Sequence, residues 1–265
     1  MERRILPLAV LVFLLLGACW VLRERGPGFR LLGYNLLTGE NLRLELFYST
    51  RGEVEVHLLD PGGRELDNVV LRKEVSSAYL FFSPRGLSPE GGTYRLLFLY
   101  RGRRIAENKL TFSGPRVRVE EVRLEWKGES LPWENLLSWA REQYPGRDPE
   151  EVVNEVVENL LREYPWADRE KMLENHSLNY FVLRRVGVEL LNVGDLPCYV
   201  RAVELLLDET SLTGREVDNW LEPGRGEWGW EREFLSLPGL RTLRVRVLED
   251  WGRVLVENSR PLSIP

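Results

Sequence analysis

Leu42, Leu44 and Leu46 alternate with Arg43 and Glu45, and Val54, Val56 and Leu58 alternate with Glu55 and His57. A period of two turns one face of each segment to an apolar interior and the other to water, so both runs predict half-buried β-strands. Asp60-Pro61-Gly62-Gly63 reads as a turn, because proline presets φ and the glycines accept positive φ. Further runs cover 29–37, 68–75, 78–83, 93–100 and 104–112. About seven strands spaced by roughly 8–12 residues predict a β-sandwich.

Ser113-Gly114-Pro115 reads as a linker, and a new strand comes after it over 116–126, with Val117, Val119, Val122 and Leu124 apolar. The period then changes. Asp148-Pro149-Glu150-Glu151 is a helix start, with Asp as N-cap and Pro in the first turn. Val152, Val153, Val156, Val157, Leu160, Leu161 and Tyr164 recur at helical spacing until Pro165. A shorter helix is expected over 133–144 and a third over 168–178. Strand patterning resumes at Tyr180 and runs towards the end of the chain. The expected organisation is an N-terminal segment (1–25), a first sandwich (26–115) and a second (116–265) carrying a helical insertion at 130–179. A short linker is expected to replace that insertion without loss of the second fold.

Residues 5–22 read ILPLAVLVFLLLGACWVL, without a charge. As a helix this run spans roughly 27 Å, near the thickness of a bilayer's hydrocarbon core. It predicts a single membrane anchor. The alternative is a lipoprotein signal: Leu16-Gly17-Ala18-Cys19 resembles the lipobox, which implies cleavage before Cys19 and lipid attachment to it. Against that, Trp20, Val21 and Leu22 continue the apolar run. A buried core helix at an extreme terminus is the plain alternative to both. Arg3 and Arg4 precede the run, and Arg23 and Arg25 close it, so positive charge barely sets its orientation. Placement of the bulk outside the cytoplasm is inferred from the signal-like position of the run and from the surface-module character of the two downstream domains.

Two segments carry a family resemblance. Leu87-Ser88-Pro89-Glu90-Gly91-Gly92-Thr93-Tyr94 resembles the tyrosine corner of fibronectin type III and immunoglobulin-like domains, with one extra residue against the usual spacing. Residues 186–265 resemble CARDB-type modules of archaeal and bacterial surfaces. There a strand ending Asn192-Val193-Gly194 leads to a second strand, and Leu237-Pro238-Gly239 opens a later one. The resemblance implies immunoglobulin-like sandwiches in both halves and supplies no catalytic residues.

Of 36 basic residues only Lys73, Lys109, Lys127 and Lys171 are lysines, a preference for arginine that fits a thermophilic source. The net charge of −5 leaves no basic face for nucleic acid. Cys19 and Cys198 are the two cysteines, and His57 and His176 the two histidines. That excludes a disulfide scaffold or a Cys-rich zinc site and leaves little for triad chemistry. No metal, cofactor or catalytic residue is expected. Cys198 reads as a buried structural thiol and His57 as a solvated surface residue.

Candidate contacts are therefore surfaces. From Glu129 to Glu174 twelve acids face five bases, and Glu150, Glu151, Glu155 and Glu158 lie on the longest helix. They form either a solvated face or a docking surface for a basic partner. Trp133, Trp139, Trp220, Trp228 and Trp230 pack a core or form a platform for a partner or a glycan. Asn175-His176-Ser177 is an N-glycosylation acceptor pattern. These readings favour a membrane-anchored, extracytoplasmic binding or scaffolding protein whose partner is an envelope protein or glycan. A carbohydrate-binding accessory protein is the first alternative. A glycoside hydrolase working through an unrecognised carboxylate pair is the second. Exposure of the tryptophans separates the first two.

Overall fold

The computed structural model describes residues 27–265, apart from Glu74 and Arg85. The expected anchor at 5–22 and Cys19 lie outside the described residues. No helix among the described residues is long and apolar enough to cross a membrane. The chain is mainly β, with four sheets, and divides between Gly114 and Pro115 into two compact units.

Unit 1 contains β1 (Arg30–Leu37), β2 (Leu42–Ser49), β3 (Val54–Leu59), β4 (Glu65–Leu71), β5 (Ser77–Ser83), β6 (Gly92–Tyr100) and β7 (Arg103–Phe112). They form two antiparallel sheets, β1-β2-β5 and β4-β3-β6-β7. The alternation read from sequence is the burial pattern observed: Leu42, Leu44 and Leu46 are fully buried, as are Val54, Val56 and Leu58. The sheets meet through Phe82 of β5, whose ring lies 4.4 Å from that of Tyr94 and 5.6 Å from that of Phe112. The Tyr94 hydroxyl turns back and donates to the Glu90 carbonyl at 2.8 Å, tying β6 to the loop before it.

Unit 2 contains β8 (Val117–Pro132), three helices, β9 (Ser177–Asn192), β10 (Cys198–Leu207), β11 (Thr210–Leu221), β12 (Gly224–Ser236), β13 (Gly239–Leu248) and β14 (Val254–Ile264). The helices are α1 (Trp133–Gln143), α2 (Pro149–Glu163) and α3 (Arg169–Met172). The sheets are β12-β9-β8 and β11-β10-β13-β14. One apolar cluster joins both, from Leu183, Val186, Val188 and Leu190 of β9 to Val203 and Leu205 of β10 and Leu243, Val245 and Val247 of β13. Counted within each unit, the order is first-second-fifth and fourth-third-sixth-seventh in both.

The helical segment is shorter than expected. Ser130, Leu131 and Pro132 still pair with Asn179, Leu178 and Ser177, so β8 and β9 form one long hairpin and the helices occupy its tip. The third helix is a single turn, α3. After it Asn175 and His176 take φ of 60° and 51°, which helix cannot continue, and the chain enters β9 at Ser177. Helix α2 starts as its sequence dictates, with Pro149 in the first turn and the Asp148 carboxylate accepting from the Glu150 N–H at 3.1 Å.

Both units clamp the end of their second strand with a buried polar side chain that has glycine two residues further on. In unit 1 the Thr50 hydroxyl donates to the Gly52 carbonyl at 2.6 Å and lies 3.3 Å from the Pro27 carbonyl. In unit 2 the Asn192 side chain accepts from the N–H groups of Arg116 and Gly194 at 3.1 and 3.0 Å. Its amide donates to the carbonyls of Leu196 and Leu221 at 2.8 and 3.2 Å. Buried amides with every partner present fix a loop, because leaving them unpaired is costly.

Candidate functional site

The helical cap has two apolar clusters of its own, separate from that of the sandwich core. Leu136 and Ala140 of α1 pack on Val152 and Val153 of α2. Val157 and Met172 pack on Leu237, with Tyr164, Trp166 and Tyr180 around them. The apolar stripe of α2 is therefore covered, partly by its companion helix and partly by the turn between β12 and β13.

Backbone contacts fasten the cap to that turn. Ala167 bridges to Gly239, and the Asp168 N–H donates to the Pro238 carbonyl at 2.8 Å. A Cβ on Gly239 would stand 2.3 Å from the Trp166 carbonyl oxygen, and Gly239 has φ of +153°. Only glycine admits the cap this closely. Arg241, two residues on, holds its guanidinium 4.0 Å from the centre of the Trp166 ring. Its Nε donates to Asp208 at 2.6 Å. A desolvated guanidinium on a tryptophan face contributes about 1–2 kcal/mol. Arg241 is not among the residues singled out from sequence. The available signal is an arginine in step with Leu243, Val245 and Val247, on the core-facing register of β13.

The candidate tryptophans do not come together. Trp220 is buried, and its ring meets Tyr199 at 5.4 Å. Trp228 and Trp230 lie half-buried on the sandwich core, and the Trp230 indole N–H donates to Thr213 Oγ1 at 3.0 Å. Trp133 is half-buried between the two cap clusters. Trp139 is the exposed one of the five, at 40%, and stands edge-on to the equally exposed Tyr144 at 5.8 Å.

The four glutamates of α2 divide in two. Glu150 and Glu151 occupy the first turn, where carboxylates offset the positive end of the helix dipole. Glu155 pairs with Arg147 at 2.9 Å and Glu158 with Arg169 at 2.8 Å. Asn175 is exposed in its left-handed turn, which Asn179 steadies by donating to the carbonyls of Lys171 and Glu174. Both asparagines line a cleft of about 400 Å³ with Lys171, Glu174 and Phe181. A larger cleft of about 620 Å³ is walled by Glu125, Arg184, Arg185, Glu231, Arg232 and Glu233.

Elsewhere arginines are held in ion-pair rows. Arg123 meets Glu121, Glu189 and Glu227 within 3.6 Å, and Arg246 reaches Glu204 at 3.3 Å and Glu257 at 3.5 Å. His57 is half-buried rather than solvated, its Nδ1 2.8 Å from Glu65. The hydrogen bond from His57 holds the Glu65 carboxyl below its usual range. Arg123 does the same for Glu121 and Lys127 for Glu129. A general acid requires the opposite shift. Burial pushes the Cys198 thiol up to about 12, with Glu249 adding to the effect, whereas a nucleophilic thiol needs a lowered value. Among the described residues no group of three His, Cys, Asp or Glu side chains is placed to hold a metal ion.

No family model and no curated protein matches the chain. Similar solved structures include the apo β-glucuronidase of Ruminococcus gnavus, 20% identical over 36% of this chain and 17% of that one, with a TM-score of 0.22. The same enzyme with D-glucuronic acid is 18% identical over the same shares, with a TM-score of 0.23. The chain thus spans well under two thirds of those proteins, and the likeness carries neither their activity nor their fold to it.

Proposed function

We propose that this chain is a membrane-anchored, extracytoplasmic binding or scaffolding protein, with residues 5–22 tethering two immunoglobulin-like sandwiches. The observation that carries the reading is the cap. Its apolar stripe is turned inward, its seat on Gly239 and Arg241 is fixed, and it offers the exposed Trp139–Tyr144 pair. A rigid element that presents aromatic rings serves recognition, since aromatic anchors dominate binding energy at interfaces. The immunoglobulin-like assignment draws support from the shared strand order, from the Tyr94–Glu90 bond expected of a tyrosine corner, and from Asn192 as the hub of the Asn-x-Gly turn. With Trp139 alone exposed among the five candidates, a protein partner is favoured over a flat glycan platform.

A photo-crosslinking amino acid at position 139, compared with one at Lys109, tests this in native membranes. Adducts specific to position 139 are expected, and their absence overturns the cap as the binding element. Fractionation tests the anchor: the full chain is expected with membranes and a chain lacking residues 1–25 in the soluble fraction. Cys19→Ser is expected to stay membrane-bound, whereas its release would establish a lipoprotein.

A further inference from the structure

Of the twelve asparagines in the chain, Asn175 alone has a serine or threonine two residues on. His176 stands between them, so no proline blocks the Asn175-His176-Ser177 acceptor pattern. The pattern also needs a reachable amide, because an attached sugar is bulky and belongs at a surface.

The fold supplies one. Asn175 and His176 are both exposed and lie in the turn between α3 and β9, ahead of Ser177, where pairing with β8 begins. A left-handed φ of 60° suits asparagine, but it asks nothing of the residue two further on. Among the described residues the Asn175 side-chain amide has no hydrogen-bond partner. The amides of Asn179 and Asn192, by contrast, are spent on backbone carbonyls. The Ser177 hydroxyl donates back to the Asn175 carbonyl at 3.4 Å, so the amide and the hydroxyl that the pattern requires belong to one turn. The cleft of about 400 Å³ that Asn175 lines leaves room for a first sugar, with Phe181, Lys171, Glu174 and Asn179 in its wall. An aromatic ring among a few hydrogen-bonding groups suits a ligand with apolar and polar faces.

We infer that Asn175 is an N-glycosylation site, a reading that rests on the extracytoplasmic placement proposed above. The donor class is a sugar activated as a phosphate ester on a membrane lipid. Asn175 Nδ2 forms the bond to the sugar's C1 as the C1–O bond to phosphate breaks. The lipid phosphate leaves with the bonding pair, and one amide proton passes to a base of the transferase. The N–H lost is one that no protein group uses, so attachment leaves every hydrogen bond of the turn in place.

The test takes the full chain from its native membranes and cleaves it after lysine and arginine. The peptide 172–184 is expected to carry a sugar mass increment that fragmentation places on Asn175 and not on Asn179. Ser177→Ala should lose the increment and Ser177→Thr should keep it, and both variants leave Asn175 in its left-handed turn. An amine-reactive label that does not cross membranes, applied to intact cells, reports placement through the exposed Lys73 and Lys109. A labelled chain whose 172–184 peptide is unmodified overturns the glycosylation site and leaves the placement standing. A chain that takes the label only after lysis overturns the placement, and the inference falls with it. An increment that survives Ser177→Ala, or is lost equally in Ser177→Thr, also overturns the inference.

Discussion

The two units share one strand order, and the start of the sixth strand is one place where they differ. The sixth strand of each opens on a glycine with positive φ, Gly92 at 139° and Gly239 at 153°. Each glycine pairs with a residue near the end of the seventh strand, Phe112 and Ile264. Two residues on, unit 1 has Tyr94 and unit 2 has Arg241. Tyr94 closes its own loop; Arg241 reaches out to Trp166 of the cap. The space freed by the glycine is filled by Pro61 in unit 1 and by the Trp166 backbone in unit 2. A closed sandwich end thus becomes a mount for an added element through the residue that occupies the corner.

The glycines should separate the units most. Gly239→Ala forces a Cβ onto a backbone oxygen and is expected to lower stability by about 3 kcal/mol and to speed amide exchange in α2 and α3. Gly92→Ala meets only the edge of the Pro61 ring and should cost about 2 kcal/mol. Denaturant unfolding checks both. Tryptophan fluorescence reports on unit 2 in that experiment, since eight of the nine tryptophans lie from Trp126 onward and the ninth is Trp20.

Asn192→Ala takes the partner from four backbone groups, two of them in buried hydrogen bonds, and is expected to destabilise unit 2 by about 2–3 kcal/mol. Thr50→Ala, at the matching place in unit 1, should cost about 1 kcal/mol. A reversal of that order would mean the two clamps are not equivalent. The units should also separate in alkali. The Cys198 thiol is pushed up from 9.0 to about 12 and the Tyr94 hydroxyl from 10.0 to about 12, both chiefly by burial. Each raised group contributes stability that is complete below its unfolded pKa and lost as pH climbs through the folded one. Unit 2 should weaken from about pH 9 and unit 1 from about pH 10. Cys198→Ala and Tyr94→Phe should each flatten only their own unit's decline, read from stability against pH.

Arg241→Met keeps the stem and removes the charge; a loss of about 1 kcal/mol with faster exchange confined to the cap is expected. The smallest effect belongs to Arg147→Gln, which breaks an exposed pair with Glu155 and should change stability by less than about 0.5 kcal/mol.

Unit 1 is readable from sequence because its strands keep one face in water, so Leu42 to Leu46 and Val54 to Leu58 alternate visibly. Helix α2 is readable for the same reason at another period, with Asp148 and Pro149 marking its start. Strand β12 is not: Gly224, Gly226 and Gly229 imitate a loop, and the half-buried Trp228 and Trp230 fall between charged residues. The far end of the β8–β9 hairpin is hidden because Lys127 to Pro132 is largely solvated and carries no alternation to detect. Trp139 looks like four other tryptophans in the sequence, since exposure is decided by tertiary neighbours that sequence does not display. The equivalence of the units lies in strand pairing and in two corners, which share little more than a glycine.

The long hairpin also has a kinetic consequence. Strands β1 and β2 are joined by residues 38–41, whereas β8 and β9 must find each other across 133–176. A connection roughly ten times longer adds about 2 kcal/mol of closure entropy to the search. Unit 1 should therefore reach its native state first in refolding, and unit 2 should wait on the meeting of distant partners. Helix formation inside the loop shortens that search, which makes the N-cap of α2 a rate-setting residue. If Asp148→Ala slows refolding of unit 2 more than it speeds unfolding, α2 forms before the hairpin closes.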